Sequence, residues 1–282
     1  MPDLDTLERH PWNVDFQWRP LRGPFRRLSS AQAQQFDELG FVVIDDAVDP
    51  TTLARITTEI DAFEAELEKL LRAAHDERAF IAEADAITFT THLVARSPAI
   101  RALATNDVFV DLGTDLIGPD VNMYWDQAVY KKPEKPRRFP WHQDNGYAFI
   151  EPQQYLTCWL ALTDATEHNG CPWIAPGVHR VGTLAHRYVD PLGLECFADP
   201  PVTAVAAPVR AGSALVFSSL TPHTTGPNLT GAVRKAYILQ YAPLGAQVLQ
   251  GDPRAGAPSE RVLCEAPDRQ FPITRDGARV SA

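Results

Sequence analysis

Two short stretches of this 282-residue chain carry side chains suited to holding one divalent metal ion. The first is Trp141-His142-Gln143-Asp144-Asn145-Gly146-Tyr147. In an extended segment alternate residues share a face, so His142 and Asp144 point the same way, an imidazole beside a carboxylate. By itself His-x-Asp is a weak signal, because an ordinary His–Asp hydrogen bond uses the same pair. The second stretch, Thr221-Pro222-His223-Thr224-Thr225-Gly226-Pro227-Asn228, follows the apolar run 214–217. A strand there that crosses the one bearing His142 delivers His223 as a third ligand. Two imidazoles and one carboxylate occupy one face of an octahedron and leave the rest open, the donor set of non-haem Fe(II) oxygenases.

Zinc competes for such a set. Structural zinc favours closed, cysteine-rich sites, and Cys158, Cys171, Cys196 and Cys264 lie away from both histidines in sequence; a catalytic zinc stays open on ligand type alone. Arg234 separates the readings. It sits in the otherwise apolar run 233–241, where a buried guanidinium is costly without an anion and a carboxylate gives it a bidentate partner. An oxygenase using a 2-oxo dicarboxylic acid needs that cation for the far carboxylate; an outward-facing arginine on an edge strand is the plain alternative. His10 and His75 lie in polar stretches and His92 reads as a packed histidine, while no GxSxG elbow or catalytic cysteine setting occurs.

The elements that must position these groups follow from periodicity. Ser29 or Ser30 caps a helix over 31–39, and Gly40 stops it. Phe41-Val42-Val43-Ile44 reads as a buried strand. Pro50 opens an amphipathic helix with Leu53, Ile56, Ile60, Phe63, Leu67 and Leu70 on one stripe; Glu59, Glu64, Glu66 and Glu68 lie off it as a solvated face. A shorter helical region spans 97–117 with a boundary at Asn106 or Asp107. From Val121 onward the pattern is short strands, best at 121–130, 155–162, 202–209, 214–217 and 233–241. Helices first and strands after argue for α+β, mainly β, with an antiparallel sandwich or barrel supported by N-terminal helices. Residues 1–282 read as one domain; 1–28 form an irregular lead-in, solvated or packed over the body through its tryptophans.

Composition sets outer bounds. With 26 Lys+Arg against 36 Asp+Glu the net charge is −10, which disfavours a nucleic-acid partner. No apolar run suits a membrane span, no secretion signal opens the chain, and the four separated cysteines read as reduced thiols, so a cytoplasmic protein is expected. The oligomeric state has no signature.

Taken together, the stretches resemble the phytanoyl-CoA dioxygenase (PhyH) family of Fe(II)- and 2-oxoglutarate-dependent dioxygenases. The resemblance rests on Trp141-His142-Gln143-Asp144 and on Asn169-Gly170-Cys171-Pro172-Trp173-Ile174-Ala175-Pro176-Gly177-Val178-His179, with Val178 where serine is usual. Asp164-Ala165-Thr166, His223 with Thr225 and Arg234, and the tail Phe271-Pro272-Ile273-Thr274-Arg275-Asp276-Gly277 extend it over most of the chain. It implies a double-stranded β-helix, or jelly roll, with supporting helices. It implies His142, Asp144 and His223 as catalytic iron ligands, and Arg234 as the partner of the distal carboxylate of 2-oxoglutarate. Thr225, Trp159, Gln127 and Tyr130 are further implied cofactor contacts, core packing being the alternative for Trp159. Tyr147 and Phe149 line the substrate side or pack in the core. The loop 180–201, with His186, Tyr188 and Phe197, is long enough to suggest an active-site lid, with His186 among substrate contacts.

The implied reaction consumes Fe(II)-bound 2-oxoglutarate and O2 and most often hydroxylates an unactivated C–H bond of a small organic substrate, with release of succinate and CO2. A secondary metabolite is the first expectation and a fatty acyl-CoA the second. Desaturation, epoxidation, ring rearrangement and endoperoxidation use the same oxidant, whereas Asp144 argues against halogenation, which needs that carboxylate position empty. The rivals are a cupin-like metal-dependent hydrolase or isomerase, which has no use for Arg234, and a non-catalytic binding protein.

Overall fold

The computed structural model of the chain describes residues 4–280. Four α-helices precede most of the strands. α1 (Ser30–Leu39) starts at a Ser29–Gln32 capping box and ends at Gly40, whose φ of 85° suits a residue without Cβ. α2 (Pro50–Ala73) begins where Asp49 accepts from the Thr51 and Thr52 amides. α3 (Pro98–Ala104) and α4 (Asp107–Leu116) divide the expected 97–117 region, Asn106 capping α4.

One expectation for α2 fails. Glu64 and Glu68 are buried with Ile56, Ile60 and Leu71, while Leu70 is 69% exposed. The buried side carries acid because a base meets it: Lys132 Nζ lies 2.8 Å from Glu64 and 3.2 Å from Glu68, and Thr88 donates to Glu64. Apolar spacing cannot report a buried ion pair whose other half lies some 65 residues on.

The strands that frame the site are β1 (Phe41–Ile44), β2 (Ile87–Thr91), β3 (Val121–Lys131), β4 (Phe139–His142), β5 (Leu156–Ala161), β6 (Pro172–Ile174), β7 (Val205–Ala206), β8 (Ala214–Ser218), β9 (His223–Thr225), β10 (Arg234–Pro243) and β11 (Phe271–Arg275). The larger sheet runs β1-β8-β5-β10-β3-β2, every neighbouring pair antiparallel, with β11 also on β3. The smaller runs β7-β6-β9-β4. The expected strand 202–209 shrinks to β7: Ala207 still donates to Pro172 O at the start of β6, and Val209 then bridges Ala165 instead.

Period-2 alternation sorts β5 cleanly. Cys158 and Leu160 join Phe36, Ile56 and Phe109 of the helices in one core, and Trp159 and Ala161 join Phe139 and Ile174 of the smaller sheet in the other. Two facing antiparallel sheets with helices packed outside make this an α+β, mainly β, jelly roll. The lead-in is irregular but packed: Trp18 Nε1 donates to Asp37 at 3.0 Å and its ring meets His179 edge-on. His10, expected in a polar exposed stretch, instead packs on Phe149. Among the described residues no helix is long and apolar enough to cross a membrane, and the four cysteines are free.

Candidate metal centre

β4 ends at His142, so the His-x-Asp segment is only half strand; Asp144 opens a 3-10 turn over Asp144–Gly146. The alternation still holds, because Gln143 stays extended and faces away. Its amide donates to the carbonyls of Gly182 (3.0 Å) and Leu220 (2.6 Å), and its oxygen accepts from the Leu184 amide (2.6 Å). β9 lies directly beside β4, with His223 opposite His142. Strand pairing, not a distant crossing, brings the two imidazoles together.

Asp144 Oδ1 lies 3.9 Å from Nε2 of His142 and 3.9 Å from Nε2 of His223. Each histidine donates its Nδ1–H to the carbonyl two residues earlier, Pro140 at 2.9 Å and Thr221 at 3.0 Å. That fixes both tautomers and leaves both Nε2 lone pairs aimed at the carboxylate. Burial, reinforced by the neighbouring His223, holds the His142 pKa well below the usual histidine range, so it stays neutral. The second carboxylate oxygen accepts from Thr157 Oγ1 at 2.5 Å, and Gln240 donates to that same hydroxyl at 3.3 Å. The three ligand atoms converge within 4.8 Å of one another. Two imidazoles oriented through their Nδ1 atoms and a hydrogen-bonded carboxylate fit a divalent ion.

Arg234, at the start of β10, is 1% exposed. Its Nη1 donates to Val129 O at 3.3 Å, its Nε has no partner, and it lies 5.2 Å from the Trp159 ring centroid. Among the described residues no acid offsets it: burial pushes its pKa down to about 9, with Cys171 the one group raising it. A buried guanidinium with an unpartnered Nε and no acid paired to it is the feature a bound carboxylate would complete.

One cavity is lined by His142, Asp144 and His223 together with Arg234, Thr225, Trp159 and Gln127. The other four expected residues lie outside it. Tyr130 is on the opposite face of β3 from Gln127 and donates to Asp61 at 2.7 Å on the helix side. Phe149 is buried under the lead-in, against His10 and Trp12. His186 has both nitrogens committed, Nδ1 to Leu184 O at 2.9 Å and Nε2 to the Gln143 amide at 3.0 Å. Its ring also fills the space a Cβ at Gly146 would need. Tyr147 comes nearest: its ring meets His142 edge-on at 5.5 Å, and its hydroxyl accepts from the Leu194 amide at 3.2 Å. Thr157, Gln240 and Gln143 had gone unnoticed. Thr157 shares a strand face with Trp159, and that period of two was the signal available for it.

Residues 36–236 match the family model described as phytanoyl-CoA dioxygenase (PhyH). The chain belongs to this family. A methylphosphonate hydroxylase of Gimesia maris is 28% identical over 229 residues, covering 77% of this chain and 82% of the relative. The crystal structure of EctD from S. alaskensis with 2-oxoglutarate and 5-hydroxyectoine superposes with a TM-score of 0.65 at 21% identity, covering 86% of this chain and 84% of that one. The carbocyclase SnoK from nogalamycin biosynthesis, described as non-haem and alpha ketoglutarate dependent, gives 0.64 at 22% identity, covering 89% and 100%. These two likenesses bear out the jelly roll.

Proposed function

We propose that this PhyH-family member is an Fe(II)- and 2-oxoglutarate-dependent dioxygenase that hydroxylates an unactivated C–H bond of a small organic molecule. The observation that carries the reading is the shared cavity: three converging metal-ligand atoms and a buried arginine with an unpartnered Nε face the same space. His142, Asp144 and His223 would hold the iron, and Arg234 and Thr225 the distal carboxylate of 2-oxoglutarate, with Trp159 and Gln127 beside it. Bound there, the metal and cosubstrate supply the oxidative chemistry: 2-oxoglutarate, O2 and R–H become succinate, CO2 and R–OH.

The chain's own share is positioning and dryness. Pro140 and Thr221 carbonyls orient the imidazoles, and Thr157 fixes which carboxylate oxygen faces them. Phe139, Phe217 and Ile238 complete an apolar wall that excludes water from the reacting C–H bond. The segment 180–201 is read as the lid. Its hairpin Arg187–Val189/Gly193–Glu195 reaches the site through the Leu194–Tyr147 hydrogen bond, and Arg138 pairs with Glu195 at 3.1 Å. We read the whole chain as one domain working in the cytoplasm on a secondary metabolite; the free cysteines and the biosynthetic setting of SnoK support this.

The test is an anaerobic titration with Fe(II) and 2-oxoglutarate followed by candidate substrates. A metal-to-ligand charge-transfer band should form and then shift as each true substrate reorganises the site. A shift with fatty acyl-CoAs alone would move the substrate to that class. Metal binding without 2-oxoglutarate binding would point to a cupin-like hydrolase or isomerase.

A further inference from the structure

Lys131 is a buried charged group that the mechanism above does not use. It is 1% exposed and pairs across the ladder with Arg234. On β3 it shares a side with Gln127 and Val129, which line the cavity. Its ammonium donates to three carbonyls: Arg137 and Thr225, each at 3.0 Å, and Gly226. Arg137 leads into the strand bearing His142, and Thr225 and Gly226 follow His223, so one cation ties together the two backbones that carry the histidines. Three carbonyls satisfy its protons but leave its charge unbalanced. Burial first, and then the neighbouring cations Arg234 and Arg137, push its pKa well down, but three carbonyl acceptors need three N–H protons, and only the ammonium form carries them. Two adjacent buried cations with no buried acid against either among the described residues make a site short of an anion.

We propose that Lys131 is a second determinant of cosubstrate choice, fixing Thr225 beside Arg234 and adding positive charge that favours a 2-oxo acid with a distal carboxylate over one without. The inference rests on the proposed function. Lys131 is a positioning residue that acts through Thr225 and through its field, while Arg234 makes the direct contact.

The experiment compares 2-oxoglutarate with 2-oxobutanoate, which has the same chelating end and no distal carboxylate. Both are titrated anaerobically into the Fe(II)-loaded protein, and binding is read by calorimetry and by the charge-transfer band. Lys131→Met should weaken 2-oxoglutarate about tenfold, as expected for a charge a little beyond contact in a medium of intermediate dielectric, and 2-oxobutanoate less than about threefold. Equal weakening of both acids would reduce Lys131 to a structural clamp, and weakening of neither would remove it from the site; either overturns the proposal. If Lys131→Met does not fold, Arg234→Met decides. With Lys131 still in place it should keep a several-fold preference for 2-oxoglutarate, and complete loss of preference overturns the proposal. Failure of the unaltered protein to bind 2-oxoglutarate at all would instead sink the proposed function, an outcome distinct from an unchanged ratio.

Discussion

The floor of the cavity and its rim are built differently. At the floor, paired strands set all but Asp144, which opens the turn after β4: His142 faces His223 across β4 and β9, and Gln127, Ile238 and Trp159 lie abreast across β3, β10 and β5. Gln127, Trp159, Ile238 and His223 each have paired strands on both sides, and His142 on the edge strand β4 has β9 on one. At the rim, Tyr147, His186 and the 187–195 hairpin hang from turns and are held by a few scattered contacts: the Leu194 amide on the Tyr147 hydroxyl, Leu184 O and the Gln143 amide on His186, and Arg138 on Glu195. Regular pairing gives a site the precision that chemistry requires, and irregular segments give a boundary that can vary with substrate.

Substitutions can break or sharpen this contrast. The largest effect is expected from the floor's ligands: His142→Ala or Asp144→Ala should reduce Fe(II)-dependent succinate formation to background. Activity surviving either change would mean the ligands lie elsewhere. Arg234→Ala should raise the 2-oxoglutarate requirement by about two to three orders of magnitude, the range for removing one member of a buried charge pair, with metal binding retained. An unchanged requirement would place the cosubstrate's anchor on another residue. Thr157→Val deprives one Asp144 oxygen of its donor and should weaken Fe(II) or Co(II) binding by about 10- to 100-fold in a direct titration, without altering which substrates are accepted. Tyr147→Phe tests the rim and should do least. It removes the acceptor for the Leu194 amide, worth about 1 kcal/mol, and should appear as faster amide exchange in the hairpin, with iron and 2-oxoglutarate affinities unchanged. A loss of iron affinity there would merge rim and floor into one unit.

The same contrast explains what could be read from residues alone. His142, Asp144 and Arg234 stand out because a spacing of two in an extended segment, or a charge inside an apolar run, is a local property of the chain; His223 is reached only by supposing a strand that crosses the one bearing His142. Tyr130 was misplaced by one step of that alternation, which sends a side chain to the opposite face of the sheet and so to Asp61. Phe149 and His186 could not be placed by local pattern, since their remote neighbours are His10 and Trp12 in one case and Gln143 in the other. Glu64 and Glu68 misled for the same reason, their partner Lys132 being remote in sequence. The fold class was open to inspection because amphipathic helices and short alternating strands announce themselves; the path of the 180–201 segment depends on contacts that no period encodes.

The two cations beneath the cavity sit inside a molecule whose net charge is −10. An incoming dianion therefore travels uphill through a repulsive halo before it reaches the attraction that retains it. Added electrolyte thins that halo, since it lies in water, and barely touches the sealed interior. Capture should accordingly quicken with ionic strength while release stays nearly constant, the reverse of the dependence shown by proteins that steer anions in with a basic exterior.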